Sequence, residues 1–275
     1  ALIRRSANTT RQVHGNMRSI PPPHSNHGIT VVMLVTNDML NDPRVARHAE
    51  TLGNQGFSVT VVCPLTQRAK AREVRNNYEI TRVRSGLFDY LAELSNRRKR
   101  QIKSSQNTGP AIVLRIISAL IRISALQLQL LRSAQKIRAD AYCSNDLDTL
   151  LIGAICAGFD RKLVYDSHEL WTDMLIGVPP FIKAVLRQIE KHLIRRADAV
   201  MTVNEYIAKE LKSRYAFDRT VHVVYNYPIL PVGKKIGPRR TDPVKKVLYQ
   251  GRYSPERGLE NLVRASEYLL PDIHL

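Results

Sequence analysis

The sequence predicts an α/β fold in which a doubly wound parallel sheet is followed by the first βα unit of a second domain. From Ile29 onward, apolar runs rich in β-branched residues alternate with segments of helical periodicity, a pattern typical of strands buried on both faces. Two of these runs are followed within a few residues by a helical segment, as in doubly wound sheets. Residues 226–243 then become rich in Pro and Gly, and a new apolar run begins after them.

The predicted elements of the sheet alternate in order along the chain. The first helix, 43–55, has Pro43 in its first turn and Gly56 after its last residue, which are typical start and stop signals. Helices 148–157 and 205–215 each begin shortly after a strand. The seven predicted strands of the sheet are 29–35, 57–63, 78–84, 141–143, 162–165, 199–203 and 221–225.

Composition divides the chain into four parts. Residues 1–28 contain four arginines, no acid and no apolar stretch of the signal-peptide type, so we expect a disordered leader or the arbitrary start of an incomplete sequence. Residues 29–225 form the first domain, and 226–243 form a linker with six Pro or Gly residues. Residues 244–275 hold one predicted strand and one predicted helix. They are too few to bury a core, so we interpret them as the start of an incomplete second domain.

The charge balance favours anionic partners. Lys and Arg number 42 against 24 Asp and Glu, a formal net charge of +18. Residues 95–138 contain ten of these cations and no acid, beginning with Arg97, Arg98, Lys99 and Arg100. This segment is either a helix with a solvated basic stripe or a site that docks on an anionic membrane surface. We predict no nucleic acid partner, because aromatic residues are only 6% of the chain and none lies in the basic segment.

Other features indicate a cytoplasmic protein, peripheral on the inner face of the membrane. Its apolar stretch at 111–131 is interrupted by two arginines, which are costly at the centre of a bilayer, so we predict no transmembrane span. The cysteines are odd in number and stand beside apolar residues, which predicts reduced, buried thiols. They are Cys63, Cys143 and Cys156.

A dense polar cluster follows the strand at 162–165. It contains Asp166, His168 and Glu169, and the only tryptophan of the chain, Trp171, stands beside it. Four interpretations fit such a cluster: a metal site, a nucleotide-hydrolysing box, a sugar-binding cleft and a capped turn.

The first two interpretations lack their usual partners. Thr172 stands where the second histidine of a His-Glu-x-x-His zinc motif would fall, and the chain has no Gly-x-x-x-x-Gly-Lys-Ser/Thr phosphate loop. Asp146, Asp148, Asp166 and His168 are able to converge on a cation, because parallel strands end at one edge of a sheet. Nothing in their spacing requires it, and we predict no metal. The sugar cleft and the capped turn stay open.

The loop 249–258 precedes the last predicted helix and contains two arginines. Arg252 and Arg257 would lie where backbone amides and a helix N-terminus favour a diphosphate. An ordinary βα turn with surface arginines explains the same composition.

Six segments, in order, resemble the retaining glycosyltransferases of family 4. That family has the GT-B architecture, in which two Rossmann-like domains face each other across a cleft, and the resemblance extends from Ile29 to the last residue. The segments are NDPRVARHAETL with GFSVTVV after it (41–62), SNDLDTL (144–150), LVYDSHELW (163–171), ADAVMTVNE (197–205), VVYNYP (223–228) and YQGRYSPERGLENL (249–262).

The resemblance implies transfer of a sugar from a nucleotide-diphosphate donor with retained anomeric configuration, without a metal or other cofactor. Arg252 and Arg257 stand where the family binds the donor diphosphate, and Arg257 replaces a lysine. His168 stands at the active-site histidine of the family. Asn41 and Asp42 stand in the loop after the first strand, where family members often present glycines to the diphosphate.

The resemblance also implies a lipid-linked or polysaccharide acceptor. Asn145, Asp146 and Glu169 lie in two of the matching segments and are candidates for contacts with the acceptor or the cleft. Because the Glu-x7-Glu motif of the family and most of its donor pocket are missing, we expect a fragment or a truncated product. The alternative hypothesis is a non-catalytic truncated relative that binds a membrane surface or an acceptor.

Overall fold

The computed structural model describes residues 28–84, 109–175, 177–227, 245–251 and 257–274. The chain divides into two compact units, residues 1–226 and 227–275. Arg252 and the basic run Arg97, Arg98, Lys99 and Arg100 lie outside the described residues, as do the first 27 residues and most of the predicted linker.

The first unit alternates strands with helices. Its elements are β1 Thr30–Leu34, α1 Pro43–Asn54, β2 Ser58–Pro64, β3 Arg72–Arg75, β4 Tyr78–Val83, α2 Gly109–Ile137, β5 Ala141–Asn145, α3 Leu147–Ala157, β6 Lys162–Ser167, α4 Pro180–Ile194, β7 Ala199–Thr202, α5 Glu205–Tyr215 and β8 Val221–Val223.

These strands form one sheet in the order β3-β4-β2-β1-β5-β6-β7-β8. Strand β3 pairs antiparallel with β4, and the other neighbours pair parallel. The predicted α/β fold with a Rossmann-like parallel sheet is therefore confirmed. Because the strand order runs outward from β1 in both directions, right-handed crossovers place α1 on one face and α2 to α5 on the other.

Strand β1 shows how the sheet is buried on both faces. Met33 belongs to the same buried cluster as Val45 of α1, whereas Val32 belongs to the cluster that contains Leu130 of α2 and Leu150 of α3. Successive side chains of a strand point to opposite faces, so a strand covered on both sides needs apolar residues at every position. This explains the unbroken apolar run at 31–34 of β1.

A buried carboxylate fixes α4 against the sheet. Glu190 is 2% exposed and accepts hydrogen bonds from the hydroxyl groups of Tyr165 of β6 (2.7 Å) and Tyr215 of α5 (2.6 Å). Burial raises the pKa of Glu190, and the two hydroxyl donors oppose this shift. Because a buried acid needs partners for both of its oxygens, the two tyrosines hold α4 in one position.

The second unit is a small βαβ segment. Strands β9 (Lys245–Lys246) and β10 (Ile273–His274) pair parallel, and α6 (Leu259–Ala265) lies between them in sequence. The predicted strand at 244–250 is too long, because among the described residues of this segment only Lys245–Lys246 pair with β10. The predicted helix at 259–270 is also too long, since a 3-10 turn, Ser266–Tyr268, replaces its end.

Three further observations bear on the sequence analysis. Strand β3 is missing from the predicted set, because its only apolar residue, Val74, faces solvent at the edge of the sheet. The three cysteines are buried and unpaired, as predicted. In the part of the chain that the structure describes, no helix is both long enough and apolar enough to cross a membrane.

We expect Tyr165→Phe and Tyr215→Phe each to lower the free energy of unfolding by about 1–3 kcal/mol, because each leaves one buried carboxylate oxygen without its donor. Denaturant titration measures this change. Tyr206→Phe is the matched control, since Tyr206 is 71% exposed on α5 and its loss should be nearly neutral. Equal stability of all three variants would show that the Glu190 contacts do not stabilise the fold.

Candidate functional site

Polar side chains collect at the carboxyl ends of three neighbouring strands, β1, β5 and β6. The Nδ2 of Asn145 donates to the backbone oxygen of Leu34 at 3.0 Å, and the backbone N–H of Asp146 donates to the oxygen of Asp166 at 2.9 Å. These bonds join the strand ends across the sheet. Asp146 and His168, the residue two positions beyond Asp166, are therefore held close together.

His168 lies against the carboxylate of Asp166. The Oδ2 of Asp166 is 3.2 Å from Nε2 of His168 and 3.6 Å from Nδ1 of His48. Asp166 is 3% exposed and His168 is 8% exposed. The contact of His168 is not aligned as a hydrogen bond and the contact of His48 is too long for one, so both are electrostatic. Neither ring nitrogen of His168 has an aligned hydrogen-bond partner among the described residues.

The two imidazoles determine the charge of Asp166. Burial raises the pKa of Asp166, but the attraction of His168 and His48 outweighs burial, and the pKa is lowered. Burial also acts to lower the pKa of His168, but the contact with Asp166 and the negative charge of Asp146 outweigh it, so the pKa of His168 is raised. The arrangement therefore favours an imidazolium beside a carboxylate.

Asp146 holds the backbone of His168. Its Oδ1 accepts the N–H of His168 at 3.0 Å, and burial raises the pKa of Asp146 to about 6 against the opposing charge of His168. Asp146 precedes α3 as its N-cap residue, but its side chain makes no capping bond. Its φ of 65° and ψ of 168° fall in a region that glycine almost alone occupies, which costs about 1–3 kcal/mol. The carboxylate of Asp146 therefore binds the backbone N–H of His168 and does not cap α3.

Buried polar atoms without a hydrogen-bond partner concentrate at this edge. Among the described residues there are six such side-chain atoms, and five belong to His48, Asn145, Asp148 and His168, of which the Nδ1 of His48 and the Nε2 of His168 lie in ion pairs with Asp166. Each such atom costs about 1–3 kcal/mol in a closed core. Among the described residues, this edge of the sheet is therefore where buried polar groups are least satisfied.

Helix α1 brings His48 to the cluster. Asp42 caps the helix by accepting the backbone N–H of Arg44 (3.1 Å) and of Val45 (3.2 Å). At its other end, a Cβ on Gly53 would lie 2.2 Å from the backbone oxygen of Asn77, so only glycine allows this approach. The helix is therefore fixed at both ends.

The other residues predicted for the site take different positions. Asn41 and Glu169 are exposed. Asp42 is buried, and burial raises its pKa, but Arg44 and the hydrogen bonds to its carboxylate outweigh this, so the pKa is lowered. Arg257 lies in the second unit, directly before Gly258, the N-cap residue of α6. Asn145, Asp146 and His168 are thus the predicted residues that the structure brings together.

Sequence reasoning missed His48, and it assigned Asp166 to a possible capped turn. Asp166 instead faces two imidazoles. No sequence pattern points to His48, because it stands on a helix more than 100 residues before His168. Only the packing of α1 brings the two histidines close. In the described part of the chain, no group of three or more His, Cys, Asp or Glu residues is arranged to hold a metal ion.

We expect Asp166→Asn to lower the pKa of His168, because the substitution removes the negative charge that raises it. Titration of the imidazole signals by NMR measures the shift. Asp160→Asn, at an exposed position, is the control and should leave this pKa unchanged. An unchanged pKa of His168 in Asp166→Asn would contradict the assigned contact.

The same variant should change how stability depends on pH. Because the pKa of His168 is raised in the folded state, its charge contributes stability that is complete below the ordinary value of about 6.5 and is lost as pH rises through the folded pKa. Asp166→Asn should flatten this dependence in that pH window, as measured by denaturant titration at a series of pH values.

The chain matches a known protein family and known structures. The family model described as Glycosyltransferase Family 4 matches residues 44–227. Sucrose-phosphate synthase from Thermosynechococcus elongatus is 14% identical with a TM-score of 0.54, and the match covers 86% of this chain and 59% of that chain. HepE from Anabaena, solved in complex with UDP and glucose, is 16% identical with a TM-score of 0.48, and the match covers 89% and 59%.

At 14% identity, the likeness to sucrose-phosphate synthase shows the fold alone. The chain spans 59% of the length of both structures. A comparison with curated proteins finds no match.

Proposed function

The chain belongs to Glycosyltransferase Family 4, and from this premise we propose that it transfers a sugar from a nucleotide-diphosphate donor to a lipid-linked or polysaccharide acceptor. We propose retention of the anomeric configuration, and a reaction that needs neither a metal nor another cofactor. The observation that carries the proposal is the buried polar cluster around His168, where five side-chain atoms lack a hydrogen-bond partner among the described residues.

Sugar hydroxyl groups suit these atoms. A hydroxyl group donates one hydrogen bond and accepts others, so it is able to pair with an imidazole nitrogen, with the Oδ1 of Asn145 or with the Oδ1 of Asp148. A bound sugar would replace the water lost on burial and remove the cost of the unpaired atoms. We therefore assign His168 to contact with the donor sugar or the acceptor, with Asn145 and Asp146 beside it.

The charges of the cluster also favour contact with the sugar of the donor over contact with its diphosphate. The carboxylate of Asp166 lies beside the imidazole of His168, and the carboxylate of Asp146 accepts the backbone N–H of the same residue. Carboxylates repel a diphosphate, but they stabilise the positive charge that develops on the sugar as the leaving group departs. We propose that Arg252 and Arg257 balance the diphosphate instead. Any contact from the first loop would come from Asn41, because Asp42 is an anionic helix cap.

An anionic membrane surface on the cytoplasmic side is the further partner that we propose. Its support is the net charge of +18, and the basic run at 97–100 is one element of that charge.

In a protein that carries both domains of the family, we expect His168→Ala to lower the rate of sugar transfer by about 100-fold or more, because it removes a polar group that contacts the reacting sugar. The assay supplies a panel of nucleotide-diphosphate sugars with lipid-linked and polysaccharide acceptors, in the presence of a metal chelator. The control is His222→Ala, which removes an exposed histidine from β8. Both variants should unfold at the same denaturant concentration as the parent chain, and parallel losses of stability and activity would indicate a structural role for His168.

The anomeric configuration of the product, the turnover of this chain and its binding of acceptor separate the remaining hypotheses. NMR of the product reports its anomeric configuration, and inversion would contradict the proposed retention. Robust turnover by this chain of 275 residues would overturn the expectation of a truncated enzyme. Acceptor binding without transfer by any donor would favour the non-catalytic relative.

A further inference from the structure

The end of β4 and the last turns of α2 enclose an open hollow that four cationic side chains line. Its volume is about 810 Å³. One cation, Arg84, directly follows the last residue of β4. The other three lie in the last turns of α2 or directly after its final residue, and they are Arg132, Lys136 and Arg138. We call this surface the basic hollow.

The packing of α2 brings these cations together. Helix α2 contacts β4, and Leu130 and Ala134 on its inner side are buried in the core. Gln129, Ser133 and Lys136 recur at intervals of four and three residues, so they form a stripe along the helix that lines the hollow. Amide and hydroxyl donors therefore lie among the cations.

The basic hollow has an unbalanced charge. Among the described residues, its lining contains no acid, and none of its four cations takes part in an ion pair. Glu79 points to the same face of β4 as Val83. It stands four residues earlier, about 13 Å along the strand, and does not line the hollow. Because like charges repel one another, an anion would stabilise this arrangement.

Arg138 has a backbone conformation that does not favour arginine. Its φ is 50°, in the left-handed region where a helix usually ends with Gly or Asn. The dipole of α2 attracts cations to this end of the helix. It explains neither Arg84, which belongs to the sheet, nor an arginine where glycine would fit without strain. A ligand that needs the charge of Arg138 accounts for its presence.

The chemistry of the lining favours a phosphate group. Guanidinium groups bind phosphate oxygens through paired, charge-assisted hydrogen bonds, and amide and hydroxyl groups donate further bonds. The described lining contains no aromatic residue, so it offers no surface on which nucleic-acid bases stack.

We propose that the basic hollow binds a phosphomonoester or diphosphate group, carried either by a small soluble molecule or by a lipid headgroup. None of its lining residues belongs to the cluster around His168 or to the run at 97–100. The inference goes beyond the proposed sugar transfer and does not depend on it.

The phosphate contact is tested in the full chain by Lys136→Gln. We expect this variant to bind inorganic pyrophosphate about tenfold more weakly, because it loses one charge-assisted hydrogen bond. Isothermal titration calorimetry measures the affinity. Lys209→Gln is the matched control, since Lys209 is also an exposed lysine on a helix, α5, and this variant should bind as the parent chain does.

Arg138→Gly separates binding from folding. Glycine adopts a φ of 50° without steric cost, so this variant should unfold at a denaturant concentration no lower than that of the parent chain. It should nevertheless bind pyrophosphate about tenfold more weakly. Lower stability with unchanged binding would contradict the role assigned to Arg138.

Vesicles distinguish a lipid headgroup from a soluble ligand. One set contains phosphatidylcholine with phosphatidic acid, whose headgroup is a phosphomonoester. The other contains phosphatidylcholine with phosphatidylglycerol, a phosphodiester, at the same surface charge. Stronger co-sedimentation with the first set, lost in Lys136→Gln, would identify a headgroup. Pyrophosphate binding that depends on Lys136, without this preference among vesicles, would identify a soluble ligand.

Three results would overturn the proposal. The first is a parent chain that does not bind pyrophosphate and does not prefer phosphatidic acid. The second is pyrophosphate binding that Arg257→Gln removes and Lys136→Gln leaves unchanged, since the anion would then lie at the proposed donor site. The third is a single-stranded oligonucleotide that binds more tightly than pyrophosphate and is lost in Lys136→Gln. Pyrophosphate binding that depends on Lys136, in a chain that transfers no sugar, would support this inference while the proposed transfer fails.

Discussion

The parallel pairing of β5 with β6 is the constraint on which the candidate site depends. It places Asn145 opposite Asp166 and lets the backbone N–H of Asp146 donate to the oxygen of Asp166 at 2.9 Å. From there the carboxylate of Asp146 reaches the backbone N–H of His168. Because side chains alternate between faces, a slip of one residue would turn Asp166 away from α1 and His48 and into the opposite core. The pairing register of β5 and β6 therefore determines which side chains meet in the cluster.

The candidate site lowers the stability of the fold, and the surrounding structure has to offset that loss. The backbone of Asp146 contributes about 1–3 kcal/mol of strain, and each buried polar atom that has neither a hydrogen bond nor an ion pair adds a comparable amount. A whole domain is stable by only about 5–15 kcal/mol. Two buried cores and the satisfied contacts of Glu190 lie around the cluster, and they supply the rigidity that keeps it in place.

Sequence identified the parts of the fold and site that depend on local pattern. The alternation of strands and helices is visible in β-branched runs, and His168, Asn145 and Asp146 stand at strand ends that any parallel sheet gathers at one edge. Contacts between residues that are far apart in the sequence are not visible in such local patterns. His48 reaches Asp166 only through the packing of α1. Helix α4 has apolar residues on several sides, and its sequence does not show that Val185 faces solvent. Tertiary contacts determine both the position of His48 and the exposure of Val185.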